Sequence, residues 1–147
     1  DNWENSIRAI EDDAPVATIN ITNYYSSGES ILRINVEIEW LQTIAGNFNL
    51  QTYVVEDNII DWQKFPSSVV PNEIPDYNHR HVLRKVVNDD TFGKNLDPSI
   101  IGEKQTIQFI FPMSSEWNVD NVETVSFIFN SDVSSYEVMQ ANAAKIK

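Results

Sequence analysis

The sequence predicts an all-β chain, an immunoglobulin-like Greek-key sandwich of about seven or eight strands. Three observations point there. Leu32, Ile34, Val36, Ile38 and Trp40 alternate strictly with Arg33, Asn35, Glu37 and Glu39, so one face of an extended segment meets a core and the other meets water. Ile, Val, Thr and aromatic residues are frequent while the helix formers Ala and Leu are scarce, a composition that suits pleated, half-buried surfaces. Strand-like runs also recur between Gly, Pro and Asn clusters, with connections long enough to cross between sheets. With 147 residues, 41% of them hydrophobic and 11% aromatic, the chain can bury one continuous core.

Residues 1–14 stand apart. Trp3, Ile7 and Ile10 are spaced as on one face of a short helix, and Pro15 stops it. This segment is expected to be an N-terminal helix or a linker from an upstream domain, with the sandwich occupying residues 15–147. From Val16 the period becomes two: Ala17, Ile19 and Ile21 alternate with polar residues until the turn around Ser27-Gly28. The long strand ending at Trp40 follows. After Gly46-Asn47, residues Phe48, Leu50, Thr52 and Val54 open a third strand that runs to Glu56. These three read as an antiparallel meander.

Lys64 to Asp76 holds Pro66, Pro71 and Pro75, which suggests a long loop because proline cannot donate to a sheet ladder. His79 to Val87 is strand-like again, and Asn88 to Pro98 is polar and contains Gly93. Ile107, Phe109 and Phe111 mark one further strand and Val125, Phe127 and Phe129 another. The tail from Tyr136 to Ile146 reads as a bulged final strand.

Ten Lys and Arg against 22 Asp and Glu give a net charge of −12. Such a surface repels nucleic-acid phosphates and anionic headgroups, so no nucleic-acid partner is expected. No apolar run is long enough for a spanning helix, and no membrane insertion by this chain is expected. The absence of cysteine excludes disulfides, thiolate metal sites and cysteine nucleophiles. The opening Asp1 suits a mature or trimmed fragment.

Two segments carry candidate chemistry. In Tyr77-Asn78-His79-Arg80-His81-Val82-Leu83-Arg84 both histidines of the chain lie two apart. On one strand they share a face with Tyr77 and Leu83, while Arg80 and Arg84 point the other way. Two imidazoles invite a divalent metal if Glu56 or Asp57 completes the set. The spacing provides no third ligand, so the expectation is no metal and no cofactor, with the histidines acting as a latch that hydrogen-bonds backbone across a loop. The second segment, Tyr53 to Gln63, ends a strand in the adjacent carboxylates Glu56 and Asp57. Paired carboxylates suggest glycoside hydrolysis, but neighbours on a strand face opposite ways and cannot flank one bond. A strand-end turn, with a carboxylate paired to Arg84, accounts for them. Phosphate-loop and serine-elbow patterns are missing from the sequence.

These same strings, Tyr53-Val54-Val55-Glu56-Asp57-Asn58-Ile59 and Tyr77 to Arg84 with Gly93 beyond, resemble the Omp28-related outer membrane proteins of the Bacteroidetes. The order of strands before them and the closing Tyr136-Glu137-Val138-Met139-Gln140-Ala141 are similar as well. The likeness runs from about Ala14 to the end. It implies a surface or periplasmic lipoprotein associated with the outer membrane, whose β module follows a thioredoxin-like domain and a lipid-anchored cysteine. It implies no catalytic residues, and it suggests that the Glu56 and His79 segments lie close together. The resulting expectation is a non-catalytic binding or structural module contacting protein or glycan at the cell surface through Glu56, Asp57, Tyr77, His79, His81 and Arg84. The alternative is a glycoside or metal-dependent hydrolase using the carboxylates with the histidine strand.

Overall fold

A computed structural model describes residues 2–8, 11, 13–88, 90–132 and 136–146. In chain order the elements are α1 (Asn2–Arg8), β1 (Ala17–Ser26), β2 (Ile31–Trp40), β3 (Phe48–Glu56), β4 (Ile59–Lys64), β5 (Glu73–His79), β6 (Val82–Val86), β7 (Lys94–Asn95), β8 (Lys104–Pro112), a 3-10 turn at Val119–Asn121, β9 (Val122–Asn130) and β10 (Val138–Lys145). One sheet has the order β1-β2-β8, and the facing sheet has the order β10-β9-β3-β6, with β7 paired to β3. The described pairings are antiparallel. This is the expected all-β sandwich in an immunoglobulin-like arrangement. The count exceeds the expected seven or eight because β4 and β5 form a separate hairpin and β7 is only two residues long.

The β2 alternation produces the centre of the core. Leu32, Ile34, Val36, Ile38 and Trp40 are each no more than 2% exposed. They pack with Ile19 and Ile107 of their own sheet and with Phe48, Leu50, Val54, Val122 and Ile128 from the other. Trp40 meets Phe48 with ring centroids 5.3 Å apart, a tilted contact that adds to burial. Not every core-facing position is apolar. Thr52 and Ser126 are opposite one another, fully buried, and joined hydroxyl to hydroxyl at 3.0 Å, which satisfies both groups away from water.

The expected three-strand meander is corrected. β1 pairs β2, but β3 crosses to the facing sheet, and β8 completes the first one. The reason is visible in burial: eight of the nine residues of β3 are buried and the ninth is half-buried. Such a strand needs a neighbour on each edge and cover on both faces, which the position between β9 and β6 provides. Its outer face is covered partly by the loop after β6. There Gly93 has φ +73°, and a Cβ on it would stand 2.5 Å from the Leu50 carbonyl oxygen, so only glycine fits.

Two more expectations change. Lys64–Asp76 is not one loop, since β5 begins at Glu73 and pairs β4. The hairpin tolerates Pro75 because the ladder shifts register between Asp61 and Gln63, opposite that residue, where no N–H is required. His79 and Val82 also belong to different strands, interrupted at Arg80–His81, with His81 in the left-handed region at φ 51°. The tail strand is bulged at Val138–Gln140 as expected. At the N-terminus α1 forms and Trp3 is 80% exposed; Ile10 and the Ile7 side chain lie outside the described residues. Among the described residues no helix is long and apolar enough to cross a membrane.

Candidate functional site

The chain leaves the sandwich after Glu56, forms the hairpin, and returns at Val82. Both roots of the hairpin therefore lie at one end of the second sheet, where β3 ends and β6 and β9 begin. Glu56 pairs with Val82 on one side and Val122 on the other. Its carboxylate is 4% exposed as a residue and has two partners: Oε2 accepts from Arg84 Nε at 2.7 Å, and Oε1 accepts from the Asn118 backbone N–H at 2.8 Å. The Arg84 side chain keeps 30% of its surface in water, so the cation is partly solvated while the anion is buried. The expected Glu56–Arg84 pair is present.

Asp57 points elsewhere. Its Oδ1 accepts the His81 backbone N–H at 2.7 Å, and its own N–H donates to the Asn121 carbonyl at 3.0 Å. The His81 imidazole lies between two carboxylates, with Nε2 3.1 Å from Glu123 Oε1 and Nδ1 3.7 Å from Asp57 Oδ1. Asn58, also left-handed at φ 58°, donates to Asn121 Oδ1 at 3.1 Å and accepts from Asn78 at 3.3 Å. Short polar side chains such as Asn tolerate that backbone region. The network thus joins β3, the two hairpin roots, the 3-10 turn and β9.

The histidines do not share a face, contrary to the single-strand reading. His79 ends β5 opposite Ile59 and stacks edge-on against Tyr77 at 4.9 Å, while Tyr77 meets Phe65 in the same manner at 6.0 Å. These rings belong to a groove of about 700 Å³ on the hairpin, lined by Gln63, Phe65, Tyr77, Asn78, His79 and Arg80. The latch also takes another form than expected: His81 engages carboxylates rather than backbone carbonyls, and His79 engages a ring. The six singled-out residues therefore divide, with Glu56, Asp57, His81 and Arg84 at the strand ends and Tyr77 and His79 in the groove.

Glu56 and Asp57 do not make the carboxylate pair of a glycoside hydrolase. Glu56 is committed to Arg84 and Asn118. The carboxylates that do converge, Asp57 and Glu123, have an imidazole between them where a scissile bond would have to lie. Sequence reading missed Glu123, Asn118 and Asn121. Asn118 caps the 3-10 turn, its side chain accepting from the Asp120 N–H, and an Asn two residues before Asp is a readable turn signal. Glu123 is one of the outward residues of an alternating strand, and only the β3–β9 register, Val55 opposite Glu123, brings it to His81.

Comparison with curated proteins finds no match. Among solved structures the chain is similar to a domain of the outer membrane lipoprotein Omp28 from Porphyromonas gingivalis, at 17% identity and a TM-score of 0.60, covering 90% of this chain and 96% of that one. At that identity the likeness concerns the fold. Parts of two β-glucosidases also match. The Thermotoga neapolitana enzyme 3B gives 16% identity and a TM-score of 0.31 over 88% of this chain and 15% of that one. An enzyme from Listeria innocua gives 14% and 0.32 over 88% and 16%. Scores that low carry no argument. The family model described as outer membrane protein Omp28 matches residues 1–147. The chain belongs to the Omp28 family of outer membrane proteins, which places it at the bacterial envelope in association with the outer membrane.

Proposed function

We propose that the chain is a non-catalytic binding module of the envelope whose hairpin β4–β5 presents a saccharide-binding groove. The exposed apolar surface of the hairpin that holds this groove carries the reading. No hairpin residue belongs to the hydrophobic core, yet the hairpin holds Ile60 and Trp62 about three-fifths exposed, at 60% and 62%. Apolar side chains kept in water contribute little to folding, and a solitary two-stranded sheet is marginal by itself. A contact made by the hairpin accounts for both.

The lining suits a sugar. A pyranose ring has an apolar C–H face and a rim of hydroxyls that donate and accept. Phe65 and Tyr77 offer ring surface, Gln63 and Asn78 offer amides with both functions, and Arg80 donates from an exposed position, the few placed polar groups among aromatics that orient a small ligand. Titrating a panel of neutral and acidic oligosaccharides while following Trp fluorescence and heat of binding tests the idea. Tyr77→Ala should weaken binding by about tenfold, roughly 1.4 kcal/mol, at an unchanged melting temperature. Failure of every saccharide to bind, or binding indifferent to Tyr77→Ala and Gln63→Ala, would remove the saccharide reading; hairpin-dependent capture of a purified envelope protein instead would point to a protein ligand.

A further inference from the structure

We infer that Asp57, His81 and Glu123 form a divalent-cation site of the zinc class that braces the base of the hairpin. The inference is independent of what the groove binds. Each of the three comes from a different place in the chain: Asp57 follows β3, His81 precedes β6, and Glu123 lies in β9. Together they offer one ring nitrogen and two carboxylate oxygens, all within 4.8 Å of one another. Protein nitrogen and oxygen ligands sit about 2.0–2.2 Å from zinc, so two of them at a tetrahedral angle lie roughly 3.4 Å apart. The observed 3.1 Å between His81 Nε2 and Glu123 Oε1 is already near that separation. Asp57 must close the remaining distance, and the 62% exposed His81 side chain has room to turn toward it.

Charge and exposure agree with this assignment. The cluster sets two carboxylates around one imidazole, and Arg84, the cation of the neighbouring pair, is engaged by Glu56. Glu123 and Asp57 keep 16% and 30% of their side-chain surface exposed, so the carboxylates are partly shielded while the histidine side stays open for a water ligand. A nitrogen ligand beside carboxylates favours zinc over calcium or magnesium, which prefer oxygen alone. Position supplies the consequence. Asp57 and His81 are the two roots between which β4 and β5 project, and a cation binding both, together with Glu123 of the sandwich, fixes the hairpin against the sheet.

The test uses the intact protein with zinc, calcium or magnesium chloride, followed by calorimetry, thermal melting and hydrogen exchange. Zinc is expected to bind with one-to-one stoichiometry, raise the melting temperature in a concentration-dependent and chelator-reversible manner, and slow exchange across residues 59–79. Calcium and magnesium at equal concentration should do none of these. His81→Asn, chosen because Asn tolerates the left-handed backbone at 81, and Glu123→Gln should each abolish the effect, while His79→Asn should leave it intact. Absence of saturable zinc binding, or binding that survives His81→Asn and Glu123→Gln, or binding lost in His79→Asn instead, would overturn the assignment and leave the three residues as an ion-pair cluster only.

Discussion

The sandwich and the hairpin obey opposite rules within one chain. In β2 the apolar residues from Leu32 to Trp40 are buried, while the polar residues between them face outward, with Arg33 and Glu37 exposed. In β4 and β5 apolar residues such as Ile60, Trp62 and Tyr77 remain in water, Pro75 interrupts the ladder, and no residue joins the core. The sandwich is what burial of apolar surface builds. The hairpin is held instead by its own ladder and by the polar network at its roots. The contrast teaches that stability resides between the sheets, while the insertion between β3 and β6 adds little to it; on the function proposed above, that insertion carries recognition instead.

The harshest way to probe that separation is a charge inside the sandwich. Ile34→Asp or Val36→Asp places a carboxylate at positions 1% and 0% exposed, with no partner. The cost, several kcal/mol, is of the order of the whole folding free energy, about 5–15 kcal/mol, so circular dichroism should show an unfolded chain at room temperature. Glu37→Lys, on the wet face of the same strand, should melt like the parent. Equal tolerance at the three positions would refute the assignment of faces.

The next effect lies at the junction of the two regions. Arg84→Ala leaves the buried Glu56 carboxylate with only the Asn118 N–H, and should destabilise the protein by about 2–3 kcal/mol in urea unfolding. Adding Glu56→Gln should return part of that loss, because the uncompensated charge, rather than the missing contact, is the larger cost. No recovery in the double variant would show that Arg84 acts mainly through packing.

Smaller still is the hydroxyl pair inside the sandwich. Thr52→Val removes the partner of the buried Ser126 hydroxyl and should cost about 1–2 kcal/mol. Combining it with Ser126→Ala should cost less than the sum of the two single changes, which a double-mutant cycle measures directly.

The smallest effect should come from the hairpin and the N-terminal helix. Trp62→Ala should alter stability by less than about 0.5 kcal/mol. Hydrogen exchange of the unliganded protein should rank residues 59–79 well ahead of 32–40, as expected of a segment with no residue in the core, and residues 2–8 among the fastest, because so short a helix is marginal by itself. Protection of the hairpin equal to that of β2 would mean it is integral to the fold, and the separation of roles would fail.

Much of this was legible along the chain. Alternation located β1, β2, β3, β8 and β9, the bulged tail strand was readable from its mixed composition, and the Glu56–Arg84 pair followed from a strand-end carboxylate near a basic string. The resemblance to Omp28-related proteins, carried by those same strings, is matched by the family model over the whole chain. What misled was the region from Lys64 to Arg84. Its prolines suggest a loop, and its period-two run reads His79 and His81 as one strand, whereas the structure ends β5 at His79 and begins β6 at Val82.

By itself, then, the sequence determined the local choices: extended backbone with one dry face, an acidic chain without thiols, and the residue strings that mark the family. Those depend on side-chain period and composition, which are properties of neighbours. Only the tertiary structure decided which sheet receives β3, where the backbone breaks before Val82, and that Glu123 stands against His81. Each of these depends on residues far apart in the chain. β3 is placed by the need to cover both of its faces. The left-handed turn at His81 interrupts a run whose period of two reads as one continuous strand, and side-chain period says nothing about backbone handedness at a single residue. Glu123 reaches the histidine through strand register, which a period of two leaves undetermined until the sheets close around the core.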